Sequence, residues 1–251
     1  MRKKRSDLLK KLLVIGTPLW YTIPAIRTHC FDFLCLRVGN HAGNAEEKQF
    51  DLGGVVVDFA PHDFLLENFC SAPIEQKVYD ITFGSKEWQQ LDAGLITRAQ
   101  GDAIMLEKGR QQGCAFEVQA VLDSWMRSLR PRHRTLDLIR RLKKMGYHVY
   151  FLSNIPEDAL DFLRHKEFWT LFEGGIASCD VKINKPDSRI YQALLTDYQL
   201  KPSETIFIDD HTENVQAAYN LGITAIHYKG AGRLYKSLNT CGIPIRERLL
   251  W

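Results

Sequence analysis

The sequence lacks most of the features that mark a secreted, repetitive or zinc-scaffolded protein. Its 251 residues contain six cysteines, and none of these occurs in a CxxC pair. There is no low-complexity tract and no repeat at the ~34- or ~40-residue periods of common repeat proteins. Scattered cysteines are typical of reduced thiols, so we expect a cytoplasmic protein without a disulfide framework.

Long apolar segments are also scarce. One apolar run extends from Leu12 to Ile26, and Pro18 and Pro24 interrupt it. A membrane-spanning helix needs ~20 apolar residues, and no A-x-A site closes the run as it would in a signal peptide. We therefore predict an atypical basic and apolar N-terminal extension over residues 1–45, without stable membrane insertion. Weak contact with an anionic membrane surface is an alternative role for it.

Excess positive charge is confined to the N-terminus. The formal net charge is +3, and residues 1–13 contribute +5 through six Lys/Arg and one Asp, so the other 238 residues carry −2. A mildly acidic body excludes a nucleic-acid footprint spread over the fold. We expect the partner to be a small molecule rather than a nucleic acid.

Helix and strand patterns alternate from residue 131 onward. Buried strands are predicted over residues 147–154, 174–178, 205–210 and 224–228. Amphipathic helices are predicted over residues 135–146, 186–200 and 213–222. This alternation is typical of a Rossmann-like α/β fold, in which a parallel sheet carries helices on both faces. Residues 46–62 and 131–251 would form this core.

The segment between the first strand and residue 131 has a different pattern. Residues 85–113 and 115–129 are helix-like, and no strand pattern separates them. We predict that residues 63–130 form a small helical cap over the strand ends, where open α/β sheets bind ligands. Within this cap, Trp88 is a candidate substrate-binding residue, and Asp92 lies close to it in the sequence.

Polar side chains follow the predicted strands at one edge of the sheet. They are Asp51, Ser153, Asn154, Lys185, Asp209 and Asp210. We expect them to converge, because the carboxyl ends of parallel strands share an edge. The three carboxylates would repel one another, and Mg²⁺, which prefers oxygen ligands, would neutralise them. Lys185 and the Ser153 hydroxyl would hold a phosphoryl group beside this metal, and Asp51 would attack the phosphorus.

Four motifs occur in a fixed order along the chain. They read FDLGGVVVDF (50–59), YFLSN (150–154), NKPDSRIYQALL (184–195) and TIFIDDHTENVQAAYNLGITAIHY (205–228). In this order they resemble the motifs of the haloacid dehalogenase-like (HAD) hydrolase superfamily, in the branch with a small helical cap. The resemblance covers roughly residues 47–230, and its opening motif is similar to that of sugar-1-phosphate phosphatases.

The resemblance implies a Mg²⁺-dependent phosphatase that acts on a small phosphorylated metabolite, such as a sugar phosphate or a nucleotide. In such an enzyme Asp51 would be the nucleophile and would form an aspartyl-phosphate. The implied catalytic residues are Asp51, Lys185 and Ser153. The implied phosphate-binding residues are Ser153, Asn154 and Lys185. The implied metal ligands are Asp51, Asp209, Asp210 and the backbone carbonyl of Gly53.

One position departs from the pattern of the resemblance. Gly53 stands where most phosphatases of the superfamily carry a second aspartate, which protonates the leaving oxygen and contributes ~10²–10⁴-fold to the rate. Asp58, seven residues after Asp51, is a candidate for this acid–base role. The glycine leaves open the alternative of a catalytically weakened HAD-fold binding protein. A 2-haloacid dehalogenase is a second alternative, but the resemblance implies a tyrosine at the position of Gly53 in that branch. The aspartate pair at residues 209 and 210 favours a cation over dehalogenation.

Overall fold

A computed structural model of the chain describes residues 47–69 and 71–246. The predicted extension over residues 1–45 lies outside the described residues. Five strands form one parallel sheet in the order β3-β2-β1-β4-β5. Their bounds are β1 Glu47–Phe50, β2 His148–Ser153, β3 Gly174–Ala177, β4 Thr205–Asp209 and β5 Thr224–His227. The sheet confirms the predicted Rossmann-like α/β fold.

Helices from the second half of the chain cover both faces of this sheet. They are α6 His133–Lys144, α7 Glu157–Arg164, α8 Ser178–Val181, α9 Ser188–Asp197, α10 Thr212–Asn220 and α11 Ala231–Thr240. On one face, Phe50 and Phe151 share a buried apolar cluster with Leu138 of α6. On the other face, Phe207 packs in a second cluster with Ile190 of α9. The predicted helices over 135–146, 186–200 and 213–222 correspond to α6, α9 and α10.

The segment between β1 and α6 is helical in the described residues, as its pattern predicts. Its helices, which we call the cap helices, are α1 Pro61–Phe69, α2 Ala72–Ile81, α3 Lys86–Asp92, α4 Arg98–Gln111 and α5 Ala115–Ser124. A short 3₁₀ turn, Trp125–Ser128, follows them. Trp88 and Trp125 are buried with their rings 4.9 Å apart in an edge-to-face arrangement. None of the described helices combines the length and apolar content required to span a bilayer.

The central strand β1 is polar for a strand with a neighbour on each side. Lys48 and Gln49 are both fully buried. The Lys48 ammonium lies 4.6 Å from the ring centroid of Tyr147, a cation–π distance that reduces the cost of burying the charge. By register Gln49 lies beside Tyr150 and Phe207. Its side-chain nitrogen and oxygen have no hydrogen-bond partner in the part of the chain that the structure describes.

Replacement of Gln49 by leucine is expected to stabilise the protein. A buried polar group without a partner costs about 1–3 kcal/mol, and an apolar side chain of similar size removes this cost. We expect a gain of about 1–3 kcal/mol in the free energy of unfolding, measured as a higher urea midpoint at an unchanged m-value. The control is Gln192→Leu on the exposed face of α9, which should leave the midpoint unchanged. An equal or lower midpoint for Gln49→Leu would contradict this account.

Candidate active site

Three central strands bring the predicted site residues to one edge of the sheet. Asp51 directly follows β1, Ser153 is the last residue of β2 and Asp209 is the last residue of β4. The pairing continues one residue past β1, since the Asp51 backbone N–H donates to the carbonyl oxygen of Ile208 at 3.0 Å. The side chains of Asp51, Ser153 and Asp209 are buried at this edge, as the strand order predicts.

Lys185 links the first and fourth motifs. Its Nζ lies 2.9 Å from Asp51 Oδ1, and it donates to Asp209 Oδ2 at 2.7 Å and to the carbonyl oxygen of Leu152 at 2.8 Å. These three acceptors use all three ammonium protons. Burial alone would lower the pKa of Lys185, but the Asp51 and Asp209 carboxylates raise it above its usual value. The lysine therefore stays charged across the neutral range.

Only one carboxylate oxygen of Asp51 has hydrogen-bond donors among the described residues. Its Oδ1 accepts the backbone N–H of Leu52 at 2.8 Å in addition to the Lys185 ammonium. Its Oδ2 accepts no hydrogen bond from the described residues. Burial raises the pKa of Asp51, Lys185 opposes this, and the Asp209 and Asp210 carboxylates add to the rise. A cation near Oδ2 would reverse this shift and keep the carboxylate ionised.

Asp209 is fully buried and completely engaged by donors. Asn214 Nδ2 lies 3.0 and 3.1 Å from its two oxygens, and the His211 backbone N–H donates to Oδ1 at 2.8 Å. Together with Lys185, these contacts occupy the acceptor sites of the carboxylate. The geometry favours Asp209 as the residue that orients Lys185 and the loop after β4. The predicted role of Asp209 as a metal ligand stays a prediction.

Asp210 reaches over the glycine pair that follows Asp51. A Cβ atom built on Gly54 would lie 2.1 Å from Asp210 Oδ2, and Gly54 has a φ of +71°, so the turn requires glycine there. Burial would raise the pKa of Asp210, but a hydrogen bond from His211 lowers it. The same bond, with Nδ1 3.1 Å from Oδ1, raises the pKa of His211 to about 9.

The charge and donor chemistry of this edge fit a magnesium ion. Asp51, Asp209 and Asp210 supply three negative charges, and Lys185 and the His211 imidazolium supply two positive ones, which leaves one negative charge uncompensated. Asp210 is partly exposed and Asp51 has an oxygen without a partner among the described residues. Carboxylate and carbonyl oxygens are the ligands that Mg²⁺ prefers. Asp51, Asp210 and the carbonyl of Gly53 could therefore hold the ion.

Ser153 and Asn154 have different surroundings at the end of β2. The Ser153 hydroxyl is buried, and its closest hydrogen-bond contact in the described part of the chain is a weak one, 3.5 Å to the Asn154 carbonyl oxygen. It is therefore available to a ligand. The Asn154 side chain instead forms two hydrogen bonds with the Lys185 backbone. Its Nδ2 donates to the carbonyl oxygen at 3.0 Å, and its Oδ1 accepts the N–H at 2.7 Å. This geometry favours Asn154 as a residue that positions Lys185, with one amide proton left over.

A cavity adjoins these residues under the cap helices. Its polar wall consists of Gly53, Asp92, Ser153 and Asn154. The remaining wall is apolar and is formed by Val57, Phe59, Trp88, Trp125, Leu129, Ile155, Pro156, Ala159 and Leu163. The predicted substrate-binding residue Trp88 thus lines the cavity and also packs in the core of the cap helices.

Two other sequence candidates lie outside this cavity. Asp58 forms an ion pair with Arg132, 2.9 Å from Asp58 Oδ1 to Arg132 Nε, and lines a separate surface groove with Asp63. Its position does not support the acid–base role. Lys182 is exposed with a φ of +61°, and its ammonium lies against Gly94 of the cap segment.

Sequence reasoning missed the contacts that join the cap helices to the core. Arg98 of α4 forms a bidentate pair with Asp158 of α7, with Nε–Oδ2 and Nη2–Oδ1 distances of 2.9 and 3.2 Å. Asn184 Nδ2 donates to the carbonyl oxygen of Gln89 at 2.8 Å. These partners are 60 and 95 residues apart, and no local pattern marks them. Trp125 lines the cavity just after α5, and no local sequence pattern marks it as a cavity residue.

The family model of haloacid dehalogenase-like hydrolases matches residues 50–222. The chain belongs to this family. The HAD match covers all four sequence motifs up to Gly222, so the chain is a hydrolase of the superfamily that the motifs indicate.

Two curated relatives of this HAD protein are phosphatases. Sesquiterpene phosphatase astK of Aspergillus oryzae is 32% identical over 76% of this chain and 91% of the relative. D-ribitol-5-phosphate phosphatase of Bacteroides thetaiotaomicron is 27% identical over 69% of this chain and 86% of the relative. For three other relatives, the chain spans about a third of their length.

A solved HAD structure is similar in sequence and in fold. It is a HAD family enzyme of Bacteroides thetaiotaomicron in complex with magnesium and inorganic phosphate. It is 26% identical, with a TM-score of 0.57, and the match covers 74% of this chain and 95% of that one. Magnesium and phosphate are thus ligands of a similar protein.

Proposed function

We propose that this HAD protein is a Mg²⁺-dependent phosphatase that hydrolyses a phosphate monoester with an apolar organic group. Residues 63–130 would act as its cap, and residues 46–62 and 131–251 as its core. The observation that carries the proposal is the Lys185 ammonium held between Asp51 and Asp209 beside an apolar cavity. A fixed cation next to a partly free carboxylate is an arrangement for receiving a phosphoryl group.

The chain's own residues account for the two steps of hydrolysis. The Lys185 ammonium attracts the phosphoryl group by its charge, and the Ser153 hydroxyl donates to a phosphoryl oxygen. The Asp51 carboxylate attacks the phosphorus as the bond to the ester oxygen breaks. The resulting aspartyl-phosphate is then attacked by water, which releases inorganic phosphate and restores the carboxylate. Bound Mg²⁺, held by Asp51, Asp210 and the Gly53 carbonyl, would screen the repulsion between the carboxylate and the phosphate.

The cavity supports an apolar substrate group rather than a sugar. Nine of its thirteen lining residues are apolar, and two of these are the tryptophans Trp88 and Trp125. A sugar would need several hydrogen-bonding partners for its hydroxyls, and the polar lining residues lie at the phosphate end instead. Each buried CH₂ group contributes about 0.8 kcal/mol to binding, so a hydrocarbon chain would be strongly preferred. The sesquiterpene phosphatase among the relatives supports the same substrate class.

Phosphate release by the purified protein tests this proposal. The panel is farnesyl monophosphate, glucose 1-phosphate, ribitol 5-phosphate and p-nitrophenyl phosphate, each with Mg²⁺ and with excess EDTA. We expect metal-dependent hydrolysis, with kcat/KM for farnesyl monophosphate at least ~10-fold above that for the sugar phosphates, since two buried CH₂ groups already supply such a ratio.

The other outcomes of this panel separate the alternatives. Preference for a sugar phosphate would contradict the proposed apolar substrate but would still support phosphatase activity. Binding of Mg²⁺ with beryllium fluoride, without turnover of any ester, would identify a HAD-fold binding protein. Turnover in excess EDTA equal to that with Mg²⁺ would contradict the metal requirement.

A further inference from the structure

Hydrolysis of an alkyl phosphate requires a proton for the leaving oxygen, and the candidate donors near the cavity are few. This reasoning rests on the proposed phosphatase function. The Lys185 ammonium has its three protons committed to Asp51, Asp209 and Leu152. His211 is exposed and bonded to Asp210, and it does not line the cavity. The nearest groups on the cavity wall, such as the Ser153 hydroxyl, do not titrate near neutral pH.

Asp92 is the one carboxylic acid among the described residues that line this cavity. It is the last residue of α3 and is partly buried. Its carboxylate makes no hydrogen bond or ion pair with the described residues. Gly53 lines the same cavity and has no side chain to reach the leaving oxygen, so among the described lining residues Asp92 is the one that can offer a carboxylic proton.

Contacts with the core fix the position of Asp92. Its backbone carbonyl accepts a hydrogen bond from the Ser178 hydroxyl at 2.5 Å, and the same hydroxyl accepts the backbone N–H of Ile155 at 2.9 Å. Two residues further on, Gly94 has a φ of +59°, and a Cβ there would lie 2.6 Å from the Cys179 carbonyl oxygen. The end of α3 is therefore seated on the core beside Ser153 rather than projecting into solvent.

We infer that Asp92 is the general acid–base of this enzyme, supplied by the cap in place of the side chain that Gly53 lacks. As Asp51 attacks, the bond between phosphorus and the ester oxygen breaks, and the Asp92 carboxyl group gives its proton to that oxygen, so the alcohol leaves neutral. The Asp92 carboxylate then takes a proton from the water that attacks the aspartyl-phosphate. Phosphate leaves, and both carboxyl groups return to their starting states.

The charges around Asp92 fit a group that holds its proton near neutral pH. Burial raises the pKa of Asp92 to about 8; Arg98 of α4 opposes this, and Asp158 of α7 and Asp51 add to it. Arg98 is itself bound to Asp158 and Asp102, which limits its effect on Asp92. The acid form is the active one for the first step, so kcat/KM should fall as the pH rises through about 8.

The test compares Asp92→Asn with the wild-type enzyme on two esters of different leaving-group acidity. With Mg²⁺ present, we expect kcat/KM for farnesyl monophosphate to fall ~10²–10⁴-fold, the usual contribution of general acid catalysis. For p-nitrophenyl phosphate, whose phenolate leaves without a proton, the loss should be less than ~10-fold. The alkaline fall in kcat/KM for the farnesyl ester should be absent from the variant.

The control is Asp80→Asn, which removes an exposed carboxylate of α2 that does not line the cavity. This variant should hydrolyse both esters at the wild-type rate and keep the alkaline fall in kcat/KM for the farnesyl ester. Equal losses on the two esters in Asp92→Asn, or no loss on either, would overturn the assignment while wild-type turnover still supports the phosphatase. If Asp92→Asn does not fold, Asp92→Glu is measured instead, because it restores a carboxyl group. An alkaline fall in kcat/KM that persists in Asp92→Glu supports Asp92 as the general acid–base, and its absence contradicts that assignment.

Discussion

Replacement of Asp51 by asparagine is expected to lower kcat for phosphate-ester hydrolysis on the order of 10⁴-fold or more, because it removes the attacking atom. Asparagine keeps the size of the side chain, and its amide oxygen can still accept the Leu52 N–H and the Lys185 ammonium. The fold and binding of inorganic phosphate should therefore survive. The measurement is phosphate release with Mg²⁺ from farnesyl monophosphate and from p-nitrophenyl phosphate, with thermal unfolding to verify the fold.

A matched control for Asp51→Asn lies seven residues further along the same motif. Asp58→Asn removes a carboxylate that pairs with Arg132 and lines a different groove. It should keep hydrolysis within a few-fold of the wild type. A large loss in Asp58→Asn, with activity retained in Asp51→Asn, would reverse the assignment of the two aspartates.

Replacement of Lys185 by methionine is expected to impair both stability and catalysis. The substitution leaves Asp51 and Asp209 buried without the cation between them, and loss of one partner from a buried ion pair costs roughly 3–5 kcal/mol. Burial raises the pKa of Asp51 in the folded state, and without Lys185 no cation at this contact opposes that rise. The variant should therefore lose stability as the pH rises, and urea unfolding at mildly acidic and mildly alkaline pH measures this slope.

Lys182→Met is the control for the loss of charge, since Lys182 is exposed and three residues away in the sequence. It should unfold at the wild-type midpoint at both pH values. A Lys185→Met variant as stable as the wild type, with no pH dependence, would contradict the buried network that links the first and fourth motifs.

The sequence predicts the sheet and its active edge because both depend on local patterns. Strands β2 and β4 are apolar runs that end in Ser153 and Asp209, and parallel strands bring such ends together. Strand β1 is harder to recognise, since Lys48 and Gln49 oppose a buried strand. Its position comes from pairing with β2 and β4 on both sides, which is a tertiary effect that overrides local propensity.

The cap–core boundary is the part that local patterns cannot predict. The apolar character of the cavity arises from four separate stretches of the chain, which contribute among others Phe59, Trp88, Trp125 and Leu163. The pairing of Arg98 with Asp158 and the seating of Asp92 on Ser178 depend on how the cap helices meet the core. The use of Asn154 to position Lys185 is likewise a contact between distant segments, and the strand-end position alone suggests a phosphate ligand instead.

A rapid acid quench of the wild-type protein during turnover of farnesyl monophosphate with Mg²⁺ tests the central claim most directly. Peptide mass mapping of the quenched protein should find one phosphoryl group on Asp51, which disappears when the substrate is exhausted and never forms in Asp51→Asn. Hydrolysis that proceeds without a phosphoryl group on Asp51, or with one on another residue, would contradict the account.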